Sequence, residues 1–187
     1  MNSLTNSCIR QFLRSSYGDD LWSRVATAAG VRADALLAWT AQADATTAAL
    51  LVHAARALGK KPGEILEDLG EWLTRQEQLR RLLRFSGSTF DEFVISLQDL
   101  AGRINLVLPD LGLSALLVEK TSRNSFRIAS AGRQRLAMRV IVGVLRGMAD
   151  DYGTLALVSH RGSDVDVGVA LAGYADAKGF DLVASTY

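Results

Sequence analysis

Leu50-Leu51-Val52-His53-Ala54-Ala55-Arg56-Ala57-Leu58-Gly59 runs, two lysines later, into Pro62-Gly63-Glu64-Ile65-Leu66-Glu67-Asp68-Leu69-Gly70-Glu71-Trp72-Leu73. The first string is alanine- and leucine-rich and ends on a glycine, the residue that most easily adopts the left-handed turn closing a helix. Proline suits the first turn of the next helix, where its missing N–H costs nothing. Glu64 and Glu67 then lie near that helix's positive end. The spacing predicts one helix over 48–58 and a second from Pro62 to Trp72 and beyond, joined by a short tight turn.

Working outward, Leu4, Cys8, Ile9, Phe12 and Leu13 recur at three- and four-residue intervals, which predicts one amphipathic helix over 1–16. Tyr17-Gly18-Asp19-Asp20-Leu21-Trp22 opens a second helix that closes at Ala29-Gly30-Val31. Downstream, Glu77 to Arg84 continues the helical pattern, and Ser88-Thr89-Phe90-Asp91-Glu92 reads as a capped helix start with early acids. After Leu108-Pro109-Asp110 the period changes from helix to strand. Ala115–Glu119 and Ser125–Ala129 flank the polar turn Thr121-Ser122-Arg123-Asn124 as a hairpin. A long helix over 133–152 follows, and then a second hairpin of Thr154–Ser159 and Asp166–Leu171 around Arg161-Gly162-Ser163. Helices first and hairpins with one crossing helix afterwards describe an α+β fold.

Composition narrows the function classes. The 187 residues are 49% hydrophobic, enough for one well-packed domain. A formal charge of +1 gives no general attraction to nucleic acid or an anionic membrane. No apolar run has the length of a membrane span, and no basic-then-apolar leader begins the chain. One cysteine, Cys8, rules out an internal disulfide and suits a reducing cytoplasm. Two histidines, His53 and His160, are too few for a multi-histidine metal site. Catalytic signatures are missing too: there is no phosphate-cradling glycine loop, no paired cysteines and no nucleophile elbow. Asp19-Asp20 and Asp150-Asp151 sit at predicted helix edges, where capping and solvation account for them. The expectation is a cytoplasmic domain that is not an enzyme.

Taken in order, these strings resemble the H-NOX (heme–nitric oxide/oxygen binding) family. The match covers residue 1 to about residue 171. Tyr17-Gly18 to Trp22 is similar to the family's Y/F-G-x-x-x-W turn. Leu50 to Gly59 is similar to L-V-x-A-A-x-x-L-G, and Pro62 to Trp72 to P-x-E-I-L-E-x-F-G-x-x-W. Phe90-Asp91-Glu92-Phe93, Leu108-Pro109-Asp110-Leu111 and Val140-Ile141-Val142-Gly143-Val144-Leu145-Arg146-Gly147 continue the pattern. The resemblance implies a single domain over 1–187, helical over 1–104 and α/β over 112–187, with a ligand pocket between the parts.

The same resemblance exposes a departure. Family members hold heme iron through the histidine of N-L-D-x-L-H-x-R. Here the stretch reads Ser96-Leu97-Gln98-Asp99-Leu100-Ala101-Gly102-Arg103, with alanine in the histidine's place. A methyl group has no lone pair to give to iron. The propionate motif Y-x-S-x-R is absent, and Ser130-Ala131-Gly132-Arg133-Gln134-Arg135 stands around its place, so Arg133 or Arg135 is the candidate anion contact. Gly112-Leu113-Ser114 replaces the family's heme-distorting proline. Heme in its usual form is therefore not an expected cofactor, and no metal is expected. The implied pocket lining is Leu97 and Ala101 on one wall, with Thr5, Ile9, Leu73 and Val144 on the other. Such an apolar lining suits a small apolar or anionic ligand. Two outcomes stay open: neighbours fill the space left by the histidine, or a cavity persists.

If iron is bound after all, the remaining donors are His53 and Cys8. That alternative is a gas sensor with a non-standard axial ligand. Arg127, Arg133, Arg135, Arg139 and Arg146 form one basic run, readable as an anion clamp or as a solvated face. Arg75, Arg80, Arg81 and Arg84 form a second, readable as a dock for an acidic partner or as a solvated helix. The resemblance implies a signalling partner, typically a histidine kinase or a cyclic-di-nucleotide enzyme on a separate chain. No output domain is legible here, so the expected role is a stand-alone sensory or regulatory domain.

Overall fold

The computed structural model describes residues 3–31, 43–107, 114–130, 132 and 135–176, without the side chains of 3–4, 43–44, 104–107 and 135. Six helices come first: α1 Ser3–Tyr17, α2 Asp19–Ala28, α3 Ala43–Leu58, α4 Pro62–Thr74, α5 Glu77–Arg84 and α6 Phe90–Val107. Strands β1 Leu116–Ser122 and β2 Ser125–Ser130, helix α7 Arg135–Asp151, and strands β3 Leu155–Arg161 and β4 Asp164–Leu171 complete the chain. The architecture is α+β, as the change of period predicts.

Local chemistry accounts for the boundaries. Gly59, at φ 66°, ends α3, and the Lys60 N–H reaches back to the Ala55 carbonyl at 2.9 Å, closing the last turn. Glu64 accepts from the Lys61 N–H at 2.8 Å, so α4 starts on a satisfied donor with Pro62 in its first turn. At α6 the Ser88 N–H donates to Glu92 Oε2 (2.7 Å) and the Glu92 N–H to Thr89 Oγ1 (3.3 Å), the cap that the sequence predicts. Helix α3 begins five residues before the predicted start. Its first turns are threonine-rich, and Thr47 is held there by a buried hydrogen bond to Asn6 of α1 (2.5 Å). The hairpin turns are shorter than predicted: Thr121 and Ser122 lie in β1, and β4 starts at Asp164.

The four strands form one antiparallel sheet in the order β1-β2-β4-β3. Alternation sends Phe126 and Ile128 of β2 and Val165, Val167 and Val169 of β4 to the inner face. Helix α7 crosses that face, burying Met138, Val142, Leu145 and Met148 against it. Leu83 of α5 and Phe90, Phe93, Val94 and Leu97 of α6 join the same core. A second core holds Ile9, Phe12 and Leu13 of α1, Trp22 and Val25 of α2, Leu50 and Ala54 of α3, and Ile65, Leu66 and Leu69 of α4. The packing boundary therefore runs between α4 and α5, whereas the change from helix to strand comes after α6.

Helices α4 and α7 join the two cores. A Cβ at Gly143 would sit 1.9 Å from the Glu67 carbonyl oxygen, and one at Gly70 2.1 Å from that of Val140. One at Gly147 would sit 2.1 Å from Thr74 Oγ1. Glycine at these three positions lets the two helix backbones touch, and any side chain would push them apart. Val140, on α7, packs against both cores.

Candidate functional site

The residues expected to line a pocket fall on α1, α4, α6 and α7. Thr5 and Ile9 are one turn apart on α1; Ile9 is fully buried in the helical core and Thr5 is half-buried. Leu73 of α4 packs half-buried against that core. Leu97 of α6 and Val144 of α7 both belong to the sheet core, although the resemblance sets Val144 on the wall opposite Leu97. Ala101 lies one turn beyond Leu97 on α6 and is 5% exposed. Four of the six, Ile9, Leu73, Leu97 and Val144, thus lie in or against the two cores that α4 and α7 bring together.

Ala101 presents a methyl group where the resemblance places the iron ligand, so this position does not fit a histidine-held heme. Arg103, two residues on, is turned to structural use. Its Nη1 donates to Ser86 Oγ at 3.1 Å and its Nη2 to the Ser96 carbonyl at 3.2 Å. His53 is half-buried on α3. Cys8 is half-buried on α1, and burial pushes its thiol pKa above the ordinary 9.0, so the neutral thiol predominates at neutral pH. Among the described residues no cluster of three or more His, Cys, Asp or Glu side chains is placed to hold a metal ion. Arg133 lies outside the described residues, and Arg135 opens α7 with its side chain likewise outside them.

Among the described side chains, Arg127, Arg139 and Arg146 of the first basic run and the four arginines of the second lie beside carboxylates. Arg139 Nη1 and Arg146 Nη1, two turns apart on α7, grip the two oxygens of Glu67 at 2.6 and 2.8 Å. Arg127 pairs across the sheet with Asp166 at 3.1 Å. In the second run, Arg80 Nε donates to Asp151 Oδ1 at 2.7 Å, and Arg84 Nε lies 3.5 Å from Asp151 Oδ2. Arg81 pairs with Glu77 at 2.8 Å and Arg75 approaches Glu71 at 3.9 Å.

Asp151 corrects a second expectation. Sequence position suggests a solvated helix end, yet its side chain is only 5% exposed between two guanidiniums. The Arg84 guanidinium also stacks over the Tyr152 ring, 4.0 Å from its centre, and the Tyr152 hydroxyl donates to the Gly87 carbonyl at 2.7 Å. This ties the end of α7 to α5 and to the start of α6. Beside it lies an open polar cleft of about 340 Å³ lined by Glu71, Thr74, Arg75, Glu77, Arg80, Gly147, Asp150 and Asp151. Sequence reading misses it because its residues come from three helices. The only advance signal is the basic spacing of α5 against the acids that end α7.

A helical core and a sheet core fused along one glycine seam define an α+β domain. The chain belongs to the haem-NO-binding, or H-NOX, family, whose family model matches residues 2–160. Solved H-NOX structures share the fold. A Cs H-NOX mutant carrying 4-cyano-L-phenylalanine superposes with a TM-score of 0.74 at 13% identity, covering 92% of this chain and 98% of its own. A point mutant of the T. tengcongensis H-NOX gives 0.73 at 13% identity, covering 92% and 99%. An oxygen-binding H-NOX domain related to soluble guanylate cyclases gives 0.66 at 13%, covering 96% and 100%. A search of curated proteins finds no match. No described helix is long and apolar enough to cross a membrane.

Proposed function

We propose that this chain is a sensory or regulatory H-NOX domain that works without the usual histidine-held heme. It acts through a remodelled ligand pocket and through contacts with a signalling protein such as a histidine kinase or a cyclic-di-nucleotide enzyme. The observation that carries the reading is Ala101, a buried methyl on the helix where the family keeps its iron ligand. The neutral thiol of Cys8 supports it, since iron is ligated by thiolate. So does the capture of Arg139 and Arg146 by Glu67, which removes two guanidiniums from the set available to a heme carboxylate. The ligand class proposed for so apolar a lining is a small apolar or anionic molecule.

Visible absorption of the purified protein, before and after stoichiometric hemin, tests the reading. The expected result is no sharp, saturable Soret band. A saturable band abolished by Cys8→Ala or His53→Ala would replace this reading with that of a heme sensor using a non-standard ligand. Ala101→His then probes the pocket itself: tight hemin uptake by that variant shows that the cavity persists, and no uptake shows that it has closed.

A further inference from the structure

The two edges of the sheet are built differently. Edge strand β1 carries Glu119 and Lys120 at its centre, with the Lys120 ammonium 5.4 Å above the Phe126 ring, and an extra residue, Thr121, breaks its register. Mid-strand charges and bulges are the devices that keep sheet edges from pairing with other chains. Edge strand β3 has neither. Leu155-Ala156-Leu157-Val158-Ser159 is uncharged and regular, and the one irregularity beside it falls on β4, at Ala170. Leu157 is 75% exposed on the outer face with the bare Gly168 opposite it, and exposed Leu155 faces exposed Leu171. Among the described residues, one side chain hydrogen-bonds to the β3 backbone: Arg146 Nη2 reaches the Val158 carbonyl at 3.3 Å, which leaves that oxygen its second lone pair.

The charges at the two ends of β3 are opposite. The exposed Arg161 stands at its C-terminal end. At its N-terminal end, Gly153 sits beside the exposed Asp150, and the Ala175 N–H holds the exposed Asp176 segment to the Gly153 carbonyl at 3.1 Å. An antiparallel copy of the same strand would bring each basic end to an acidic end.

We infer that β3 pairs antiparallel with β3 of a second copy of this chain, joining two four-stranded sheets into one across a two-fold axis. With Leu157 opposite Leu157, Leu155 meets Ser159 and Arg161 meets the Gly153 region with its two acids. The outer-face leucines of both copies then form one apolar strip, and the register is self-complementary, as a two-fold interface requires. A seven-residue strand pair is small for a stable interface, so the dimer is expected to dissociate on dilution.

Sedimentation velocity of the full chain over a concentration series tests this. The expected result is a monomer–dimer equilibrium that Leu157→Lys weakens by about tenfold or more, since two ammoniums would meet on the axis. Arg161→Glu should weaken it as well. Leu117→Lys, at an equally exposed site on the other edge strand, should leave it unchanged. The melting curve of each variant by circular dichroism should stay that of the parent, because all three side chains are exposed. A monomer at every concentration overturns the inference, and so does a dimer indifferent to Leu157→Lys or equally sensitive to Leu117→Lys.

Discussion

The helical core of α1–α4 and the sheet core of α5–α7 with β1–β4 solve the same burial problem with different polar chemistry. Inside the helical core, the buried polar contact seen among the described residues is neutral, Thr47 to Asn6. Around the sheet core the corresponding contact is ionic, Asp151 between Arg80 and Arg84, while Glu67 of α4 pairs with Arg139 and Arg146 of α7 across the seam. Neutral pairs cost little to bury and bind weakly. Charged ones must be paired, and they become costly when a partner is lost. The sheet core is thus pinned by electrostatics at its rim, whereas the helical core, which supplies Thr5, Ile9 and Leu73, is held mostly by apolar packing. A pocket wall that must adjust to a ligand is better placed in the second kind of core.

The contrast can be broken most sharply at Asp151. Asp151→Ala leaves two guanidiniums facing each other with their carboxylate gone, and should cost about 3–4 kcal/mol in urea unfolding. A cost below that of an exposed ion pair would mean that the rim does not pin the sheet core. Gly143→Ala attacks the seam instead. Its Cβ would overlap the Glu67 carbonyl backbone, so α4 and α7 must separate, at about 3 kcal/mol. Because that change spreads both cores, amide exchange should quicken in α4 and α7 alike; protection lost on one side only would disprove the shared seam. Thr47→Val strips the helical core's neutral contact and strands Asn6, for about 1–2 kcal/mol. Its effect should not vary with pH, which separates it from the ionic rim.

The smallest effect belongs to His160, on the inner face of β3. Its buried Nε2 has no hydrogen-bond partner among the described residues, and burial first, then the nearby Arg139, push its pKa below the ordinary 6.5. As pH falls through 6.5, the unfolded chain takes up a proton that the folded chain refuses, so stability declines until the lower folded pKa is passed. His160→Gln should flatten the melting temperature across that acidic window and leave it unchanged above neutrality. If parent and variant fall together on acidification, His160 is not the responsive group.

Several features were legible one residue at a time because their causes are local. The glycine stop at Gly59, the Pro62 start and the Thr89–Glu92 cap each depend on residues within one turn. The predicted hairpins came out with shorter turns for the same reason in reverse, since strand ends depend on the neighbouring ladder. The start of α3 was missed because threonines read as poor helix formers, and only the contact with Asn6, far away in sequence, makes Thr47 helical. Of the site, the capped start at Ser88–Glu92 and the family resemblance put Leu97 and Ala101 on one helix, whereas the fate of the arginines is not legible in the sequence, since Glu67 and Asp151 reach them from other elements.

What the sequence determined by itself was the family, the α+β class and the absence of a donor atom at Ala101, because helix period, strand period and side-chain identity are properties of the chain. What only the tertiary structure decided was which charges are paired, where the two cores divide and which strands stand at the edges of the sheet formed by the described residues. These depend on elements distant in sequence arriving side by side: α7 on α4 through three glycines, Asp151 on α5, and β4 between β2 and β3. A charge read along the chain has no partner until the fold supplies one.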